Sequence, residues 1–250
     1  MRILCISPFF PPAANAEAFC GGKTVKALID AGADVVVLCD SVLARDPVDK
    51  SSCWEPLRSV SEFIEIESFG NASVGRKLSG LFQGLSHRTI VQGRRIRRYL
   101  QSAKQLHERK CFDLVYSRSF PIYAHPIGYW CSRLLGLPWI ASINDPWENW
   151  DARAAPRDGT VRASRRRWAV SSCVSRYWLR KTLVSADVVT YPSSRLQSYH
   201  VRLSQIDHTG GVVPHIGYAS ANGILPPATF ALVHCGLLQE CTGRSASGLF

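Results

Sequence analysis

Apolar positions along this chain gather into short unbroken runs, separated by longer stretches of mixed character. Residues 2–7 (RILCIS) and 35–39 (VVVLC) are almost wholly apolar, the pattern of strands buried on both faces of a parallel sheet. Between them a proline-broken loop is predicted from Pro8 to about Cys20, after which Gly21-Gly22 open a helix that ends near Gly32. Further runs predict strands at 63–67, 114–117, 139–143, 188–191 and 211–214, the first of them alternating as an edge strand does. The stretches between predict helices over 88–110, over 122–135 (closed by Gly136), over 165–184 and onward from Ser193. Strand and helix alternate throughout. The predicted fold class is therefore α/β, a doubly wound, Rossmann-like parallel sheet.

Residues 1–218 make one predicted domain, large enough to bury an ample core. Residues 219–229 (ASANGILPPAT) are rich in Ala, Gly and Pro and read as a linker. Another buried-type strand follows at 230–238 (FALVHCGLL). A lone strand cannot bury its own faces, so it is either an edge of the first sheet or the start of a second domain. The second is expected, with 230–250 supplying the first strand and turn of a domain that is then cut short.

Charge changes the picture in two places. The net charge is +11, yet residues 76–110 alone are net +9 and residues 153–181 net +8, which leaves the rest net −6. One segment contains Arg94-Arg95 and Arg97-Arg98, the other Arg165-Arg166-Arg167. Such clusters suit anionic lipid head groups or nucleic-acid phosphates, and they are equally compatible with solvated helix faces. No recognised nucleic-acid module accompanies them, so nucleic acid is not the expected partner. No run of eighteen uncharged apolar residues occurs, and the opening apolar run is too short for a signal peptide. The expected location is the cytoplasm, with 88–110 and 162–181 available to an anionic membrane surface at its inner face. Nine cysteines with no C-x-x-C pair, and no His at ligand spacing, support neither a zinc site nor a disulfide framework.

Candidate chemistry lies at strand ends, because open α/β sheets bind ligands beyond the carboxyl ends of their strands. Gly22-Lys23-Thr24 looks like the end of a P-loop, but the motif's first glycine would fall at position 17, where Glu17 stands. There is no G-x-G-x-x-G either. What remains is a helix N-terminus with two glycines, a place where an anion can be held. Asp145, just after the strand at 139–143, can orient or deprotonate a hydroxyl, although Asp-Pro is also a turn signal. Arg118 has the same placement after the strand at 114–117 and suits a phosphate or a sugar hydroxyl. His215, after Val213-Pro214, is a further candidate.

Taken together, the run PFFPPAANAEAFCGGKTVKALIDAGADVVVL resembles the N-terminal domain of GT-B glycosyltransferases, the group that includes the retaining family 4 enzymes. Asn15, Ala16, Glu17, Gly21 and Gly22 match that family's layout of prolines, an Asn/Gly-Ala-Glu stretch and glycines before the first helix. Asp113 with LVYSRS at 114–119 is similar to its strand end D-hydrophobic-hydrophobic-H/Y-S. Ala186-Asp187-Val188 and Val212-Val213-Pro214-His215 resemble its A-D-hydrophobic strand and its hinge sequence. The resemblance spans about residues 1–240 and implies transfer of a sugar from a nucleotide sugar to a lipid-linked or polysaccharide acceptor. It implies no metal and no cofactor beyond the donor substrate. Asp145 is carried over as the catalytic carboxylate. Asn15, Glu17, Gly21, Gly22, Arg118 and Asn144 are carried over as acceptor-side residues, and His215 and Gly236 as donor-side ones. Asn144 stands where the family often has a His that contacts the sugar. The family's second domain holds most of the donor, so these residues alone are expected to be inactive or very weak.

A different class of function remains open, that of a non-catalytic α/β module that binds membranes or polyanions through the two basic segments. It predicts salt-sensitive vesicle binding that survives Asp145→Asn. The glycosyltransferase reading predicts that the same change abolishes transfer.

Overall fold

The computed structural model describes residues 1–41, 57, 62–66, 83–119, 121–147 and 162–215, and within these no side chains for 83–92 and 162–172. The chain divides into two units, Met1–Ile216 and Gly217–Phe250. The expected linker at 219–229, the strand at 230–238 and Gly236 lie outside the described residues.

In the first unit the described strands are β1 (Arg2–Ile6), β2 (Asp34–Asp40), β3 (Glu62–Ile66), β4 (Leu114–Arg118), β5 (Trp139–Ser142), β6 (Val188–Tyr191) and β7 (Gly210–Val212). The helices are α1 (Ala16–Asp30), α2 (Gln83–Lys110), α3 (Ala124–Leu135), α4 (Arg162–Ser185) and α5 (Ser194–Ser204). All seven strands form one sheet in the order β3-β2-β1-β4-β5-β6-β7, and every pairing is parallel. This is the doubly wound, Rossmann-like arrangement expected from the alternation of runs. Its order reverses between β1 and β4, and ligands of such sheets enter the crevice at that reversal.

The apolar runs are explained by burial on both faces. Ile3, Val35 and Val37 pack with Val25 of α1 on one side. Leu4, Val36, Val115 and Trp139 pack with Tyr99, Ala103 and Leu106 of α2 and Ile127 of α3 on the other. Val189 and Tyr191 pack with Leu179 and Leu183 of α4 and with Leu196 of α5. Burial of this kind stabilises by about 25 cal/mol per Å² of apolar surface removed from water.

Two aspartates of the resemblance prove to be strand pins at the amino edge of the sheet. Asp113 Oδ2 accepts the backbone N–H of Arg2 at 2.6 Å, and Asp187 Oδ2 accepts that of Trp139 at 2.7 Å. Each ties the first residue of a strand to the chain entering its neighbour. Gly136 closes α3 with φ of 66°, a conformation that favours glycine.

The start of α1 differs from expectation. The helix begins at Ala16, not at Gly21, so the loop runs only from Pro8 to Asn15. Asn15 is the reason, because its extended backbone and its Oδ1, 2.8 Å from the N–H of Ala18, cap the first turn. Gly21 and Gly22 lie buried in the helix. A Cβ on Gly21 would come within 3.0 Å of Ser7 Oγ and 3.4 Å of the Phe9 carbonyl oxygen, so this glycine lets the loop fold back onto its own helix.

Candidate functional site

The crevice between β1 and β4 is bounded by the loop after β1, the first turn of α1 and the ends of β4 and β5. Arg118, the last residue of β4, is only 3% exposed. Its Nη1 lies 3.3 Å from Glu17 Oε2 in the first turn of α1. A cation so deeply placed must be paired, and Glu17 supplies the pair from across the switch point. A guanidinium carries five donors, more than one carboxylate can take. Its field reaches the sheet interior, although burial dominates there and pushes the Cys5 thiol up to about 12.

The segment after β5 carries Asp145 and is fastened on both sides of it. Asn144 donates its backbone N–H to Ser119 Oγ at 3.2 Å and its side-chain amide to the Ser119 carbonyl. Trp147, almost fully buried, donates its backbone N–H to His200 Nε2 at 3.2 Å. Its ring stacks on that of His125, with centroids 5.4 Å apart. Asp145 is half-buried between these two anchors, at the carboxyl edge of the sheet. An aspartate held in this way can orient or deprotonate a hydroxyl without first being immobilised.

His215, which is exposed, feels the charges of Arg118, Asp145 and Lys23. Partial desolvation and the positive charges of Arg118 and Lys23 lower its pKa, against the opposing pull of Asp145. It is therefore more readily neutral than a free histidine and able to accept a hydrogen bond. Glu17, Arg118, Asp145, His215 and Lys23 thus converge on one end of the sheet.

Other expected site residues make contacts within the scaffold. Asn15 caps α1, and the side-chain amide of Asn144 turns to the β4 end. Gly21 and Gly22 pack inside α1 instead of opening it, which removes the expected cradle of two glycines at the helix N-terminus. Arg118 ends β4, directly beside β1, and Asp145 follows β5, one strand further on. Lys23, Ser119 and His200 carry no local sequence signal for a place at the site. Lys23 stands in a P-loop-like setting only, while Ser119 and His200 act through partners 25 and 53 residues away.

A second charged cluster closes the carboxyl end of β2. Asp40 accepts hydrogen bonds from the hydroxyls of Tyr99 (3.0 Å) and Tyr123, and Arg95 Nε lies 3.7 Å from Oδ1. Burial raises the pKa of Asp40 against all three partners. The cluster ties α2 and the entry to α3 to the sheet. Among the described residues no group of His, Cys, Asp and Glu has the makings of a metal site.

A seven-stranded parallel sheet of this order with flanking helices is a Rossmann-like α/β fold, the fold found in GT-B glycosyltransferases. Residues 22–214 match the family described as the glycosyl transferase 4-like domain, and the chain belongs to that family. Solved structures agree in fold. Sucrose-phosphate synthase from Thermosynechococcus elongatus aligns with a TM-score of 0.55 at 14% identity, over 86% of this chain and 48% of that one. UGT2 from Phytolacca americana aligns with a TM-score of 0.53 at 11% identity, over 88% and 53%. A UGT transferase from Siraitia grosvenorii, solved with UDP, gives 0.53 at 12%, over 89% and 53%. The chain therefore spans about half the length of these structures. No curated protein matches it in sequence.

Proposed function

We propose that this chain is the acceptor-side half of an enzyme that transfers a sugar from a nucleotide sugar to a lipid-linked or polysaccharide acceptor. The observation that carries the reading is the convergence of the Arg118–Glu17 pair, Asp145 and His215 on the crevice where the strand order reverses. Family membership and the solved relatives, one of them holding UDP, support it.

In this reading Asp145 takes the proton of, or orients, the acceptor hydroxyl, and its carboxylate faces the positive charge that develops at the sugar carbon. Arg118 and Lys23 hold negative oxygens of the donor or acceptor, and Glu17 keeps the Arg118 guanidinium aimed into the crevice. His215 accepts a hydrogen bond at the same mouth. The positive charge of α4 holds the protein against the inner face of a membrane. Donor binding rests mainly on a second half, so residues 1–250 alone do not turn over.

The test is nucleotide release from a panel of nucleotide sugars, with lipid extracts or oligosaccharides as acceptors, in the full-length protein. Donor-dependent release with one acceptor class supports the reading. Release with no donor, or efficient transfer by 1–250 alone, overturns the corresponding part. A purely membrane-binding role is the second reading, favoured by the concentration of positive charge on α4, which has seven Lys or Arg and no Asp or Glu.

A further inference from the structure

The two basic segments are alike in the sequence but differ in the fold. On α2 part of the charge is already spent, with Arg95 on Asp40, Lys110 on Glu62 and Lys104 on Glu108. Among its described side chains none is a large exposed apolar group. The adjacent pair α3 and α4 is different. Across their 36 residues there are eight Lys or Arg and no Asp or Glu.

The same two helices expose apolar bulk. Trp130 and Leu134, one turn apart on α3, and Val174 and Tyr177 on α4 are between 44 and 58% exposed. A continuous aromatic and cationic seam joins them. The Tyr129 ring meets that of Trp178 edge-on at 6.1 Å, with Lys181 Nζ at 5.0 Å and the Arg133 guanidinium at 5.7 Å from its centroid. Trp178 in turn contacts Tyr177 at 5.4 Å. Exposed Trp130 and Tyr177 beside Arg133 and Lys181 is the composition that favours a water–lipid boundary, where apolar bodies enter the head-group layer and cations meet anionic lipid. Self-association would set like charge against like charge, which argues against a second copy as the occupant.

We infer that the outer face of α3 and α4, and not α2, is the surface that docks this protein on an anionic membrane. The inference sharpens the membrane part of the proposed function and is independent of sugar transfer. Both helices cover the sheet face opposite α1, so a docked bilayer leaves the Glu17–Arg118 crevice open to solvent.

The experiment is co-sedimentation of residues 1–250 with vesicles of phosphatidylcholine, alone or with about one third phosphatidylglycerol, at low and physiological salt. Binding is expected only to the anionic vesicles, falling as salt rises. Trp130→Ala/Tyr177→Ala and Arg133→Glu/Lys181→Glu each weaken it at least roughly tenfold, whereas Arg97→Glu/Lys104→Glu on α2 leaves it within about twofold. The charge-reversal pair keeps the test open if the aromatic pair fails to fold. Asp145→Asn binds as the wild type does, which separates this inference from the fate of the sugar-transfer reading. Failure to bind phosphatidylglycerol vesicles overturns it, as does equal weakening by the α2 variant. Equally tight binding to duplex DNA, unaffected by the aromatic pair, would mark a general polyanion surface and also overturn it.

Discussion

This fold tolerates two of its histidines only when they are neutral, which makes it sensitive to acid in a calculable way. His125 is fully buried on α3, with Nδ1 3.0 Å from Ser117 Oγ. Burial, assisted by His200, lowers its pKa to about 3. His200 is also fully buried, and burial lowers its pKa to about 4 although the Leu196 carbonyl partly offsets this. In the unfolded chain both titrate near the ordinary value of about 6.5. The unfolded state therefore binds more protons than the folded one between these limits. Stability is complete above about pH 6.5 and is lost as pH falls toward 4 and 3. At pH 5 each site costs about 2 kcal/mol (1.5 pH units at 1.36 kcal/mol each), and the pair costs about 4 kcal/mol. That is a large share of an ordinary stability of about 5–15 kcal/mol. Asp40 works in the opposite direction, because its raised pKa means that the fold gains as the carboxyl protonates. The assay is urea unfolding followed by far-ultraviolet circular dichroism from pH 8 to pH 5. In His125→Gln/His200→Gln the drop over that interval shrinks by about 4 kcal/mol, whatever the variant's stability at pH 8. An equally steep acid loss in the double variant would refute the reasoning.

Packing and pairing give further outcomes, read from urea midpoints at neutral pH. A Cβ on Gly128 would sit 2.7 Å from Ser117 Cβ and from Trp139 Nε1, so Gly128→Ala destabilises by about 2 kcal/mol despite alanine's better helix propensity. Gly93→Ala on α2 meets nothing within 4 Å and stabilises by about 0.5–1 kcal/mol. Glu17→Gln leaves the Arg118 guanidinium buried beside a neutral partner and costs about 2 kcal/mol, while Glu17→Gln/Arg118→Gln costs less than the two single changes together. Strict additivity of the two would show that the pair is not coupled.

The strands were legible because parallel strands buried on both faces leave unbroken apolar runs, and 2–7, 35–39, 114–117, 139–143 and 188–191 all fall on observed strands. The order of the sheet follows from that alternation, since right-handed crossovers leave few other solutions. The start of α1 is not legible because two glycines look like a helix opening, whereas the cap is a single Asn15 side chain six residues before the first of them. Arg118 and Asp145 could be placed at strand ends from the sequence. Their neighbours could not, because Glu17 is 101 residues from Arg118 and only the sheet order brings β4 beside β1. His125 and His200 gave no local signal at all, since a buried histidine and a surface one read alike until the packing is known. Two basic segments of similar charge were likewise inseparable until Asp40, Glu62 and Glu108 were placed on the first and the exposed Trp130 and Tyr177 beside the second.

The central claim is that Asp145, held between the Asn144 and Trp147 anchors, works in a sugar-transfer site at the β1/β4 crevice. Its most direct test is the rate of donor-dependent nucleotide release by the full-length protein, wild type against Asp145→Asn, with both shown to have the same unfolding midpoint. The account predicts a loss of at least roughly a hundredfold in the variant, the scale of a general-base contribution. A variant that transfers as fast as the wild type would contradict it.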